Sequence, residues 1–231
     1  MAGALDSLRR DIIVCRACPR LVEWREAVAR ERVRRFADEE YWGKPVPGFG
    51  VPDARILLVG LAPGAHGANR TGRMFTGDES GTWLFRALHG AGFASQAVSS
   101  GREDGLRLTD CYITAACRCA PPRNKPLPGE IRACRAFLLR EIGILSRVRV
   151  VVGLGRIGFE AALAAYRELG IIDYPRRPRF AHAAAYVLGG RTFIASYHPS
   201  QQNTRTGVLT RPMLERVFRL ARRALDHPRA R

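Results

Sequence analysis

Apolar and polar positions along this chain follow two different rhythms. Residues 5–35 carry apolar side chains three and four apart, the spacing of an amphipathic helix, with a break at Cys15-Arg16-Ala17-Cys18-Pro19. Helical spacing returns over 80–92, 128–145, 157–169 and 212–225, the last being rich in arginine. Between these stretches lie short apolar runs over 55–60, 112–117 and 148–153, which read as strands buried on both faces. Residues 186–188 and 192–196 flank Gly189-Gly190, a hairpin signal, and Lys44-Pro45-Val46-Pro47-Gly48 reads as an extended loop. Strands alternating with helices predict an α/β fold, a three-layer α/β/α sandwich with a mostly parallel central sheet of about four strands. A chain of 231 residues can bury the core of one such domain, here expected to span 1–231 with the helices of 1–45 docked on it. In sheets of this kind the chemistry gathers at the carboxyl ends of the strands.

Charge narrows the class of partner. Lysine and arginine outnumber aspartate and glutamate by 38 to 21, a formal charge of +17, and every basic residue except Lys44 and Lys125 is arginine. Codon bias can exchange lysine for arginine, but it does not create a surplus over acids. A basic surface of this size favours a polyanion, because each cation that neutralises a phosphate releases counterions. The longest apolar run, near 148–154, is far too short to span a bilayer, and the first residues lack an export signal. The expectation is a soluble cytoplasmic protein with no membrane partner.

Six cysteines are present: Cys15, Cys18, Cys111, Cys117, Cys119 and Cys134. Cys111 and Cys117 suit a buried strand, where thiols pack as small apolar groups. Cys15 and Cys18, at Cys-x-x-Cys spacing beside a proline, suit metal ligation instead. Cys119 just past a strand end and Cys134 on the next helix can complete a four-thiolate site. Spacing alone leaves zinc and iron–sulfur open.

Three strand-end loops hold the other candidates. Gly60-Leu61-Ala62-Pro63-Gly64-Ala65-His66-Gly67 follows the first strand, and its small residues let backbone approach a ligand. Gly72-Arg73-Met74-Phe75-Thr76-Gly77-Asp78-Glu79-Ser80-Gly81 supplies an aromatic plate, a carboxylate and a helix start. Asp78 can act chemically or cap that helix, a task open to Ser80 as well. Ser196-Tyr197-His198-Pro199-Ser200 follows the last strand and leads into a polar run over 201–206, leaving the His198 ring free to face a substrate.

A competing signal is Val150-Val151-Val152-Gly153-Leu154-Gly155-Arg156-Ile157-Gly158, a strand entering GxGxxG, with Asp173 where a ribose-binding acid would stand. It lies in the third β-α unit rather than the first, and Ile171-Ile172-Asp173 is too short for the required next strand. Gly153–Gly158 is therefore read as close strand–helix packing rather than as the site of a dinucleotide-dependent oxidoreductase.

The combination resembles the uracil-DNA glycosylase superfamily, and within it the iron–sulfur family 5 (type B) enzymes. The matching pieces are Cys15-x-x-Cys18, the 60–67 loop, Gly72 through Asp78, Arg118-Cys119-Ala120-Pro121-Pro122-Arg123-Asn124-Lys125-Pro126, Cys134 and His198-Pro199-Ser200-Gln201-Gln202-Asn203, spread over nearly the whole chain. The resemblance implies a [4Fe-4S] cluster held by Cys15, Cys18, Cys119 and Cys134, tying 1–45 to the rest. It implies a monomeric, nucleoid-associated base-excision repair enzyme acting on DNA that contains uracil or other deaminated bases such as hypoxanthine. Gly60, Ala62, Pro63, Gly64, His66, Phe75, Ala115, Ser200 and Gln201 are then expected to line the base pocket, and Asp78, His198 and Asn124 to act in catalysis. Leu61, Ala62 and Ala115 stand where other members of the superfamily place acids or a base-reading amide, which implies a broad substrate range. A non-catalytic iron–sulfur DNA-binding protein is the alternative that leaves the loops idle.

Overall fold

The computed structural model describes residues 2–227. Its core is a sheet of six strands among the described residues: β1 (Phe49–Gly50), β2 (Ile56–Gly60), β3 (Cys111–Ala115), β4 (Val150–Leu154), β5 (Ala185–Leu188) and β6 (Arg191–Ser196). Their order across the sheet is β1-β3-β2-β4-β6-β5. The mostly parallel sheet is as expected but has six strands rather than about four: the inner four are parallel, and β1 and β5 add an antiparallel edge on each side. The β5–β6 hairpin turns at Gly189-Gly190, both at positive φ. Edge β1 carries no apolar run, and its two residues become a strand only by pairing with Ile113 and Tyr112.

Period-two alternation within the buried strands divides the core into two layers. Ile56, Leu58, Ile113, Val150, Val152 and Ile194 pack against α4 (Glu79–Gly90) and α8 (Arg211–Asp226). Leu57, Val59, Tyr112, Val151 and Phe193 pack against α1 (Ala2–Ile13), α5 (Pro128–Ile144) and α6 (Arg156–Glu168). This is the three-layer arrangement expected. The 5–35 stretch divides where Pro19 takes the first position of α2 (Pro19–Glu31), a place where a missing N–H costs nothing. Two ion pairs tie these N-terminal helices to α5: Arg20 to Glu130 at 2.7 Å and Arg140 to Asp11 at 2.6 Å. Among the described residues no helix is long and apolar enough to cross a membrane.

The glycines of the GxGxxG run pack helix on strand. A Cβ on Gly158 would meet the Val59 carbonyl, and one on Gly153 would meet the backbone of Phe159. Asp173 lies in a loop and pairs with Arg167 at 3.3 Å, so it does not stand at the end of a neighbouring strand as a ribose-binding acid would.

Candidate active site

The parallel strands end together. Gly60 is in register with Ala115, and Leu154 with Ser196, so the loops that follow them share one edge of the sheet. Gly60 is where the aromatic plate sits: a Cβ there would come within 2.8 Å of Phe75 Cζ. Phe75 itself has φ +53°, a conformation that costs a bulky residue about 1–2 kcal/mol. Its carbonyl lies against Gly81 in the first turn of α4, where any side chain would collide with it. Backbone strain is accepted here to turn the phenyl ring over the end of β2.

Asp78 is the N-cap of α4, its Oδ1 accepting from the Gly81 N–H at 2.9 Å. The cap thus falls to Asp78 and not to Ser80. The other carboxylate oxygen faces the 60–67 loop, where a Cβ on Gly64 would lie 2.9 Å from Oδ2 and one on Gly67 would overlap the carboxylate. Two glycines of the first loop therefore exist to admit a carboxylate from the second. Burial raises the Asp78 pKa, against the lowering effect of the Gly81 and Ser80 backbone N–H groups.

His198 closes the other side. Its ring centroid lies 5.8 Å from that of Phe75, with the planes tilted by 32°. Behind it Gly155, at φ +85°, leaves only 3.2 Å between a hypothetical Cβ and His198 Cβ. The His198 carbonyl accepts from Asn203 Nδ2 at 2.9 Å, which holds the loop while leaving the ring free. Burial pushes its pKa down to about 4, so the imidazole is neutral near pH 7 and still carries one N–H to donate.

The remaining candidates divide. Pro63 and Ala115 are buried at the strand ends, and Ala62, like Leu61, is half-buried beside them. His66 shares a hydrogen bond between Nδ1 and the Tyr41 hydroxyl at 3.2 Å, a partner the sequence did not suggest. Ser200 caps α7 (Gln201–Arg205), accepting from Asn203 N–H at 3.5 Å, and Gln201 is exposed on that short helix, which had read only as a polar run. Asn124 is exposed on a turn after β3, at φ +56° and next to Arg123 at +53°. No hydrogen bond or ring contact of the described residues links it to Phe75, Asp78 or His198.

Buried arginines, which the net charge alone did not distinguish from surface ones, brace these loops. Arg73 donates to Asp104 at 2.6 Å, Ser99 Oγ at 2.7 Å and Thr76 Oγ1 at 3.0 Å, pinning the loop that carries Phe75. Although burial opposes it, Arg73 and three backbone N–H groups hold the Asp104 carboxyl at about 2. Arg70 donates to the carbonyls of His66 and Gly77 at 2.8 Å each, joining the two loops on either side of Asp78. Under β3, Arg118 pairs with fully buried Glu141 at 2.5 Å, and Glu141 also accepts from Thr114 at 2.6 Å and Tyr112 at 3.3 Å.

The four cysteines expected to act as ligands interact although they come from distant segments. Burial raises the Cys18 thiol, and charge on Cys134 and Cys15 adds to the rise. Burial also lifts Cys119 to about 11, with Cys134 and Cys15 again opposing its ionisation. Cys134 Sγ accepts from the Arg118 N–H at 3.3 Å, whereas Cys111 is enclosed within β3. Among the described residues, no three Cys, His, Asp or Glu side chains close on a point as a single-ion site requires.

The chain matches the family model of the uracil DNA glycosylase superfamily over residues 47–222. It is 55% identical to a type-5 uracil-DNA glycosylase of Thermus thermophilus over 219 residues, covering 94% of this chain and 97% of that one. It is 50% identical to a type-5 uracil-DNA glycosylase of Mycobacterium bovis, over 96% of this chain and 82% of that one. A further type-5 uracil-DNA glycosylase, of Pyrobaculum aerophilum, is 42% identical over 95% of this chain and 92% of its own length.

Proposed function

This chain belongs to the uracil DNA glycosylase superfamily, and we propose that it is a DNA repair enzyme that hydrolyses the bond between a deaminated base and its deoxyribose. The observation that carries this reading is the ring pair of Phe75, seated on Gly60, and His198, seated on Gly155, with the Asp78 carboxylate on the adjoining loop. A base inside a duplex is out of reach, so it is extruded into the pocket, and the basic surface of a chain with formal charge +17 holds the flanking phosphates. Phe75 stacks on the flipped base, an interaction tolerant of base identity.

The glycosidic C–N bond breaks with its electron pair moving to the base. Negative charge collects on the base, and the neutral His198 N–H donates to the oxygen that carries it. The sugar becomes cationic at C1′, where Asp78 offsets the charge and orients the attacking water. Water oxygen bonds to C1′, and one of its protons ends on the departing base. Both lysines lie beside prolines in loops and offer no amine nucleophile, so the enzyme is monofunctional and leaves the DNA strand intact. Asn124 stands outside this set and is given no step.

The pocket is expected to accept hypoxanthine as well as uracil. At the strand ends it presents Ala115, Ala62 and Leu61 rather than an amide or an acid, and an apolar pocket rejects alternative bases only weakly. DNA carrying one uracil or one hypoxanthine, incubated with the protein and then cleaved with alkali, tests both activity and range. Ala115→Asn should narrow the range toward uracil, and strict uracil specificity in the unmodified protein would refute the role given to Ala115.

We further infer that Cys15, Cys18, Cys119 and Cys134 hold a [4Fe-4S] cluster. Charge on Cys134 and Cys15 acts on both Cys18 and Cys119, so the four thiols lie near one another, and the likeness to type-5 uracil-DNA glycosylases supports the cluster over zinc. Held by these four cysteines, such a group would supply cross-linking between the α1–α2 junction, the segment after β3 and α5. The same reading makes 1–231 one domain acting as a monomer.

A further inference from the structure

Arg25, on α2, is 2% exposed. Its Nη1 donates to Cys119 Sγ at 2.9 Å and to the Cys15 carbonyl at 3.3 Å, and its Nη2 donates to the same carbonyl at 3.4 Å. Its Nε has no partner. Among the described residues the one carboxylate within ion-pair reach, Glu26 Oε1, lies 3.6 Å from Nη2 and already accepts from Arg16 at 2.5 Å. The Arg25 carbonyl accepts from buried Asn69 at 3.2 Å, which fixes this turn of α2 against the loop that follows β2.

A buried guanidinium is costly unless negative charge answers it. Glu26 is partly exposed and shared, so it answers only a fraction of the Arg25 charge. The guanidinium instead points its donors at two of the four cysteines. Four thiolates around an iron–sulfur cubane leave a net negative centre, which supplies the missing charge. We propose that Arg25 is the counter-charge of the four-cysteine centre, holding Cys119 through an N–H···S bond and stabilising the more negative, reduced form. The inference rests on the cluster reading given above. Cluster potentials depend on nearby charge and on hydrogen bonds to sulfur, and residues that orient metal ligands govern metal retention. Arg25 is thus a positioning residue, remote from the base pocket.

The test compares purified, loaded protein with its Arg25→Gln, Arg25→Lys and Glu26→Gln variants. Iron release to a chelator and the reduction potential are read by optical absorbance. Arg25→Gln should release iron about tenfold faster or more and shift the potential to a more negative value. Arg25→Lys should fall between, since an ammonium keeps the charge but not the planar fork. Glu26→Gln changes a partly exposed residue and should shift the potential the opposite way, because Arg25 then loses its partial neutralisation. It decides the matter if Arg25→Gln does not fold. Unchanged release in Arg25→Gln, or an unchanged potential in Glu26→Gln, overturns the role of Arg25. Unmodified protein that contains no iron by elemental analysis overturns the cluster reading itself.

Discussion

The rings of Phe75 and His198 lie 5.8 Å apart at a tilt of 32°, and each is seated against a glycine, Phe75 on Gly60 and His198 on Gly155. Neither glycine is adjacent in sequence to the ring it admits. Because Phe75 holds a left-handed conformation at φ +53°, its ring and its backbone can be tested separately. Phe75→Ala removes the stacking surface and should slow excision of every base by about 5- to 140-fold, equivalent to ~1–3 kcal/mol. Phe75→Gly relaxes the backbone as well, and should be folded at least as stably as Phe75→Ala while equally slow. Single-turnover rates and thermal melting measure the two effects.

His198 gives a pH signature. Its folded value of about 4 lies below the ordinary 6.5, so between these values the unfolded chain binds the extra proton. The stability that depends on a neutral His198 is fully present above pH 6.5 and is lost as pH falls toward 4. Denaturant unfolding across that window should show a weaker pH dependence in His198→Ala than in the unmodified protein. The same variant should lose about 10²–10³-fold in excision rate, as removal of a charge-stabilising donor does. Equal pH slopes in the two proteins would contradict the burial of this imidazole.

Asp78 has a structural and a chemical task, which serine can separate. Asp78→Ser keeps a good N-cap and should cost little stability, whereas Asp78→Ala should cost about 1 kcal/mol. Both should be nearly inactive if the carboxylate is required for chemistry. Full activity in Asp78→Ser would reduce Asp78 to a cap. Gly67→Ala, whose Cβ runs into the carboxylate, should lower activity while leaving the sheet intact by circular dichroism.

The Arg118–Glu141 pair predicts the largest loss of stability. Both side chains are almost wholly buried, so Arg118→Met strands a carboxylate among Tyr112 and Thr114. The expected loss is about 3–5 kcal/mol, read from the urea midpoint. Replacing both partners with apolar residues of similar volume should recover much of it.

Cysteine replacement should separate ligand from packing residue. Cys119→Ser should bleach the yellow-brown colour expected of anaerobically purified protein, and Cys111→Ser should leave it, since Cys111 is enclosed within β3. Colour retained in full by Cys119→Ser would remove that residue from the ligand set.

Three of the four parallel strands were legible because a strand buried on both faces has to be an unbroken apolar run, and the fourth, β6, was read from the hairpin signal at Gly189-Gly190. The helices were legible because each buries one stripe, as Leu5, Leu8 and Ile12 do in α1. The loops of the site could be located too, since strand direction sends them to one edge. Side-chain identity alone also marked Phe75, Asp78 and His198 as the groups able to stack, carry charge and donate.

Tertiary structure alone decided what each of these residues touches. Asn124 was expected among the catalytic residues because its loop follows β3, and the fold places it exposed on a turn with two successive left-handed residues. Strand β1 exists only through its pairing with β3. Arg25, Arg73 and Arg118 were invisible as interior residues, because arginine in a basic sequence reads as surface and burial depends on a partner far along the chain. Local spacing is set by the chain's own geometry and can be read in order. The energy of a buried charge, or of a carboxylate pressed against two glycines, depends on segments brought together only by folding.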